Sequence, residues 1–131
     1  MRLLLDTHTL LWFLNGSSRL SVPARDAICD LTNHRFVSTA SLWEVAIKTS
    51  LGKLTLATSF EEMVEHEIDL NDINVLQIDS PHLLAMAALP FPSNDHRDPF
   101  DRMIVSQAIC EDLILISADS ALDAYGVSRF W

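Results

Sequence analysis

Four carboxylates, Asp6, Glu44, Asp101 and Asp119, stand where an acid could do chemistry in this chain of 131 residues. Asp6 directly follows the apolar run Leu3-Leu4-Leu5, and Asp119 closely follows Leu113-Ile114-Leu115-Ile116. Glu44 and Asp101 each open a stretch with helical periodicity. Carboxylates that converge repel by about 4 kcal/mol per pair at about 4 Å and an effective dielectric of about 20. A protein that gathers them must supply protons, bases or a divalent cation. An all-oxygen set without His or Cys ligands suits Mg2+ or Mn2+ better than zinc. Such ions activate a water and stabilise charge on a phosphoryl oxygen, so phosphodiester hydrolysis is the reaction class that follows most naturally.

Whether the four meet depends on the elements that carry them. Short apolar runs predict strands over residues 2–5, 36–38, 74–78 and 113–116, with a fifth over 126–130. Between them the patterns predict helices over 7–14, from Ser21-Val22-Pro23 onward, and over 41–51, 59–68, 81–89 and 100–111. The last of these would bury Ile104, Val105, Ala108 and Ile109. The segment 90–99 holds three prolines and reads as a loop. Strands alternating with helices imply an α/β fold with a parallel sheet covered on both faces. In such a sheet the strand C-termini and the N-termini of the packed helices share one edge, and ligands bind there. All four acids fall on that edge.

Each acid also has a local explanation. Ser41-Leu42-Trp43-Glu44 has the form of a capping box, and Glu44 and Lys48 are spaced as a helical ion pair. Asp98-Pro99-Phe100-Asp101 resembles a helix start with Asp98 as cap, and Asp6 and Asp119 have cap positions too. Convergence of all four on one edge is what favours a site over four separate caps.

Composition bounds the classes. With 49% hydrophobic and 21% charged residues, the chain reads as one globular domain over 1–131. The net charge of −9 argues against a general nucleic-acid binder. The acids are concentrated between Glu61 and Asp79, leaving Arg35, Lys48, Lys53, Arg97 and Arg102 to form a local basic rim. Cys29 and Cys110 lie in apolar stretches without CxxC spacing, which predicts buried thiols and fits a reducing cytoplasm. The apolar start is broken by Asp6-Thr7-His8-Thr9, unlike a signal peptide, and no stretch reaches the about 20 apolar residues that span a bilayer. A soluble cytoplasmic protein is expected.

Four blocks carry a resemblance: Leu3-Leu4-Leu5-Asp6-Thr7-His8; Ser38-Thr39-Ala40-Ser41-Leu42-Trp43-Glu44-Val45-Ala46-Ile47-Lys48; His96-Arg97-Asp98-Pro99-Phe100-Asp101-Arg102; and Leu115-Ile116-Ser117-Ala118-Asp119. In content and order the chain resembles the PIN-domain ribonucleases, and among them the VapC-like toxins of type II toxin–antitoxin systems. The resemblance implies a three-layer α/β/α fold with a central parallel sheet of four or five strands. It implies an endoribonuclease that hydrolyses RNA with a water activated by carboxylate-held Mg2+ or Mn2+, checked by a cognate antitoxin and able to form a homodimer. Asp6, Glu44, Asp101 and Asp119 become the catalytic, metal-binding quartet. Asp98 either ligates through water or caps its helix. Ser117 either supports the metal shell or is structural.

Around the quartet, His8 and His96 are read as surface or packed residues, with RNA contact or proton transfer as the other reading. Lys48, Arg97 and Arg102 either meet phosphates or pair with acids. Trp12, Phe13 and Trp43 are read first as core, then as a groove for an antitoxin segment or a dimer seam. Phe130-Trp131 closes the sheet edge or lies exposed. A haloacid-dehalogenase-type phosphatase needs an Asp where His8 stands, and a receiver domain needs paired acids where Thr7 follows Asp6. No Gly-rich nucleotide loop is present. Two further alternatives are a catalytically silent scaffold of the same fold and a DNA-directed nuclease.

Overall fold

The computed structural model describes the whole chain, Met1–Trp131, as a five-stranded parallel sheet in the order β3-β2-β1-β4-β5. The strands are β1 (Arg2–Leu5), β2 (His34–Ser38), β3 (Ile73–Leu76), β4 (Ile114–Ile116) and β5 (Arg129–Phe130). The helices are α1 (Thr7–Leu14), α2 (Val22–Cys29), α3 (Thr39–Ser50), α4 (Phe60–Glu62), α5 (Ile68–Leu70), α6 (Ser80–Ala88) and α7 (Pro99–Glu111). A π-helical turn, Met63–Glu67, joins α4 to α5, and a 3-10 helix, Ser120–Tyr125, joins β4 to β5.

The chain lays β1, β2 and β3 successively to one side, then crosses back to set β4 against the free side of β1. That reversal leaves a crevice between the C-terminal ends of β1 and β4, the position at which open α/β sheets bind ligands. β1 is fully apolar because it is the central strand and is covered on both faces. Leu3 and Leu5 pack with Leu10, Leu20, Ile28 and Val37 on one face. Leu4 packs with Met103, Ile104, Ala108 and Leu122 on the other. Two apolar layers on a single sheet make the three-layer α/β/α architecture, and the expected strands and main helices are all present within a few residues of their expected ends.

Several local expectations are corrected. The capping box at Ser41 does not form. α3 begins at Thr39, capped by Ser38, whose Oγ accepts the Ala40 N–H at 3.0 Å. β2 runs directly into this helix, so the first of the two available hydroxyls becomes the cap. Ile109 is 49% exposed, while the run Arg102–Ala108 is buried, because α6 and the sheet cover α7 from two sides and Ile109 faces away from both. Cys29 and Cys110 are exposed free thiols, not buried ones. Each lies in the last turn of its helix, where the adjoining Ile28 and Ala108 take the core positions.

Arg35 is 2% exposed and belongs to no basic rim. Its guanidinium donates to the Ile28 carbonyl at 3.0 Å and the Asp72 carboxylate at 2.9 Å, near the start of β2 and away from the strand C-termini. No helix is long and apolar enough to cross a membrane.

Candidate active site

The four acids and Asp98 line one cavity of about 150 Å3 at the C-terminal edge of the sheet. Asp6 caps α1 by accepting the Thr9 N–H at 2.8 Å, and its own N–H extends the sheet ladder to the Ile116 carbonyl. Thr9 Oγ1 donates to that same carbonyl at 2.9 Å, tying α1 across the β1–β4 crevice. Glu44, freed from a capping role by the earlier start of α3, is buried and accepts from Lys48 Nζ at 2.7 Å. Ser41, the other half of the expected box, accepts a hydrogen bond from Thr7 Oγ1 and so joins α3 to α1 beneath the site.

Asp98 caps α7 by accepting the Asp101 N–H at 2.9 Å. Asp119 caps the 3-10 helix through the Ala121 N–H, while Ser117 Oγ accepts the Asp119 N–H at 3.1 Å. Ser117 is fully buried and acts as a positioning hydroxyl. The capping explanation is therefore correct for Asp6, Asp98 and Asp119, and it does not exclude the site. Each of the five carboxylates uses one oxygen in a protein hydrogen bond and leaves the other without one. Caps fix the carboxylates in place at no loss of their second oxygen.

A ring nitrogen lies beside these oxygens. His96 is half-buried, with Nε2 3.1 Å from Asp101 Oδ2 and Nδ1 2.7 Å from the Tyr125 hydroxyl. Ligand atoms of His96, Asp101 and Asp119 lie within 4.8 Å of one another. Sequence alone left His96 as a surface or packed histidine. Only the path of the proline-rich loop and its contact with Tyr125, 29 residues downstream, bring it here.

Burial pushes the Asp101 carboxyl up to about 6, helped by the charge of Asp98, and the His96 hydrogen bond only partly opposes this. A folded-state value above the unfolded 3.8 means that stability falls as pH rises from 3.8 through about 6. The ceiling for this displacement is about 3 kcal/mol. The side chain is 30% exposed, and solvent screening reduces the expected effect to about 1–2 kcal/mol. In EDTA, Asp101→Asn is expected to raise Tm by roughly 3–8 °C above about pH 7 and by almost nothing near pH 4. Paired thermal melts across pH check this, and a pH-independent difference would refute it.

The basic and aromatic candidates divide. Lys48 lines the cavity but is held by Glu44. Arg102 is buried, donates to the Leu89 carbonyl at 2.7 Å and stacks 3.9 Å over Phe91, so it anchors a loop and offers nothing to a phosphate. Arg97 lies 4.5 Å over the same ring and bonds Asp95. Trp43 is 60% exposed, against the core reading, and packs edge-on to Phe100 beside an apolar groove of about 310 Å3. Trp12 and Phe13 are half-buried against the core, and Trp131 packs edge-on to Trp12, closing the sheet edge. Beside the acidic cavity, a wider recess of about 360 Å3 is bordered by Asp6, His8, Trp12, Arg19 and Asp119. Arg19 was not singled out from sequence, since its place depends on the turn between α1 and α2.

The family model for the PIN domain matches residues 3–127. No curated protein matches the chain. Solved structures similar to it include VapBC2 from Rickettsia felis bound to a promoter DNA fragment, at TM-score 0.70 and 14% identity, covering 99% of this chain and 98% of that one. VapBC-1 from nontypeable Haemophilus influenzae follows at 0.69 and 18%, covering 99% and 97%. DNA-bound VapBC from Salmonella typhimurium follows at 0.68 and 16%, with the same coverage. At these identities the likeness establishes the fold.

Proposed function

Since the chain belongs to the PIN domain family, we propose that its acidic cavity is the active site of a metal-dependent endoribonuclease, and that the protein is the toxin of a toxin–antitoxin pair. One observation carries the metal-dependent nuclease reading. Five carboxylates, each fixed by one oxygen and free at the other, face a single cavity in which Lys48 is the only Lys or Arg side chain. Such a set fits a hard divalent cation, which binds through oxygen ligands and keeps several waters.

When bound, Mg2+ or Mn2+ activates water as a nucleophile and offsets charge on the phosphoryl oxygen. Asp6, Glu44, Asp101 and Asp119 hold it, Asp98 contributes its second oxygen or a bridging water, and Lys48 keeps Glu44 in place. No nucleophilic side chain is needed. The adjoining recess gives a single-stranded RNA access to the cavity, with the His8 and Trp12 faces available for base stacking and Arg19 for a phosphate. In this reading His8 is an RNA contact, supported by its place on the recess. The VapBC complexes that share the fold support an antitoxin partner for this chain as well.

Cleavage of total RNA by antitoxin-free protein, in Mn2+, Mg2+ and EDTA with 5′ ends sequenced, tests the proposal. Discrete cuts that require metal are expected. Cutting of DNA of matched sequence in place of RNA would make this a DNA-directed nuclease, and binding without cutting would make it a scaffold.

A further inference from the structure

We infer that His96 is a nitrogen ligand of the site's cation, completing a mixed His-Asp-Asp shell with Asp101 and Asp119 that selects a first-row transition ion over Mg2+. This rests on the metal-dependent reading above and adds to it a ligand and a selectivity.

The geometry is that of neighbouring ligands. Two donors at about 2.1 Å from an octahedral ion sit about 3.0 Å apart when adjacent and about 4.2 Å apart when opposite. His96 Nε2 and Asp101 Oδ2, 3.1 Å apart, have the adjacent separation; the three ligand atoms including Asp119 lie within 4.8 Å, so a small inward shift of Asp119 would let it share the ion. An ion between the imidazole and the carboxylate would take the position now held by their hydrogen bond.

The imidazole is also oriented as a ligand is. The Tyr125 hydroxyl donates to the His96 carbonyl at 3.1 Å. The same hydroxyl lies 2.7 Å from Nδ1. The ring is thus anchored through Nδ1 while Nε2 faces Asp101, and the proton shared between Nε2 and that carboxylate would leave when a cation binds. Metal-binding histidines are characteristically fixed in this way, through the ring nitrogen that does not bind the metal. Tyr125 packs edge-on to the ring and is itself contacted by Arg102, so the orientation is braced from two sides. A histidine that merely filled a loop would need neither the carboxylate nor the second anchor.

Nitrogen changes the preference of the shell. Mg2+ is a hard ion suited to oxygen, whereas imidazole favours first-row transition ions. Mn2+ serves as the probe because its electron spin reports directly bound nitrogen. Calorimetric titration of the full-length protein with Mn2+ and with Mg2+ should show Mn2+ binding more tightly. Pulsed electron paramagnetic resonance of the Mn2+ form should show nitrogen modulation from an imidazole.

His96→Gln should abolish the modulation and weaken Mn2+ by at least about tenfold, while Mg2+ affinity changes by less than about threefold. Tyr125→Phe should keep the modulation and weaken Mn2+ by a smaller factor. Mn2+ bound without nitrogen modulation would overturn the assignment while leaving a metal site in place. Modulation that persists in His96→Gln would overturn it too and point to His8, the imidazole that lines the acidic cavity. Should His96→Gln fail to fold, His8→Gln decides: modulation that survives it upholds His96, and modulation lost with it refutes His96. Binding of neither Mn2+ nor Mg2+ by folded wild-type protein would remove the metal-dependent reading itself, and this inference with it.

Discussion

Asp6→Asn is expected to slow RNA cleavage about a thousandfold or more, roughly 4 kcal/mol in the barrier, in a protein that folds normally. Asp6 ends the central strand, borders both the acidic cavity and the recess beside it, and has one oxygen free of hydrogen bonds. Asparagine is as good a helix cap as aspartate, so the bond to the Thr9 N–H survives and the fold with it. What is lost is a negative charge at the centre of the proposed cation site. Single-turnover cleavage and a thermal melt, measured side by side, separate these effects. Near-normal cleavage by folded Asp6→Asn would move the chemistry away from this cavity. Loss of Tm together with activity would show that Asp6 is chiefly a cap.

Arg102→Ala is expected to cost about 3–4 kcal/mol of stability, about 10 °C in Tm. The guanidinium satisfies the Leu89 and Pro90 carbonyls, reaches the Tyr125 hydroxyl and stacks on Phe91. Its removal leaves part-buried carbonyls without their donor, ends a cation–π contact and opens a void where the buried guanidinium sat. The loop so anchored carries Asp98 to the cavity and His96 to Asp101 beside it, so cleavage should fall as well, about tenfold to a hundredfold. Arg102→Lys keeps the charge but not the planar fork and should restore little of either. An unchanged Tm with weaker, less salt-dependent RNA binding would instead make Arg102 a phosphate contact.

The contrast between Arg102 and Asp6 marks how far the sequence could be read. Asp6 is positioned by a local rule, since a four-residue apolar strand followed by an acid needs no distant partner to be recognised. The same holds for Asp98-Pro99 as a helix start, and for the alternation of strands and helices that put four acids on one edge. Local rules stop at choices that tertiary contacts make. Ser38 and Ser41 are both competent caps, and the strand that feeds the helix decides between them. Cys29 and Cys110 have apolar neighbours, but a last-turn position turned to solvent overrides composition. Arg35 and Arg102 look like surface cations, yet both are buried because carbonyls at chain turns converge on them. His96 depends on a ring 29 residues away, a partnership that no spacing rule encodes.

The strand order also governs when the acidic cavity can form. β1 finds β2 on one side early, but its other neighbour, β4 (Ile114–Ile116), lies far downstream in the chain. Asp119 and the 3-10 helix follow later still. At the about 5–20 residues per second of translation, a ribosome spends several seconds holding a chain whose central strand is half paired and whose acidic site lacks a wall. Long-range pairing of this kind is slow to form, and no fragment that stops short of β4 can assemble the crevice. Truncation before β4 therefore leaves the acidic cavity unformed.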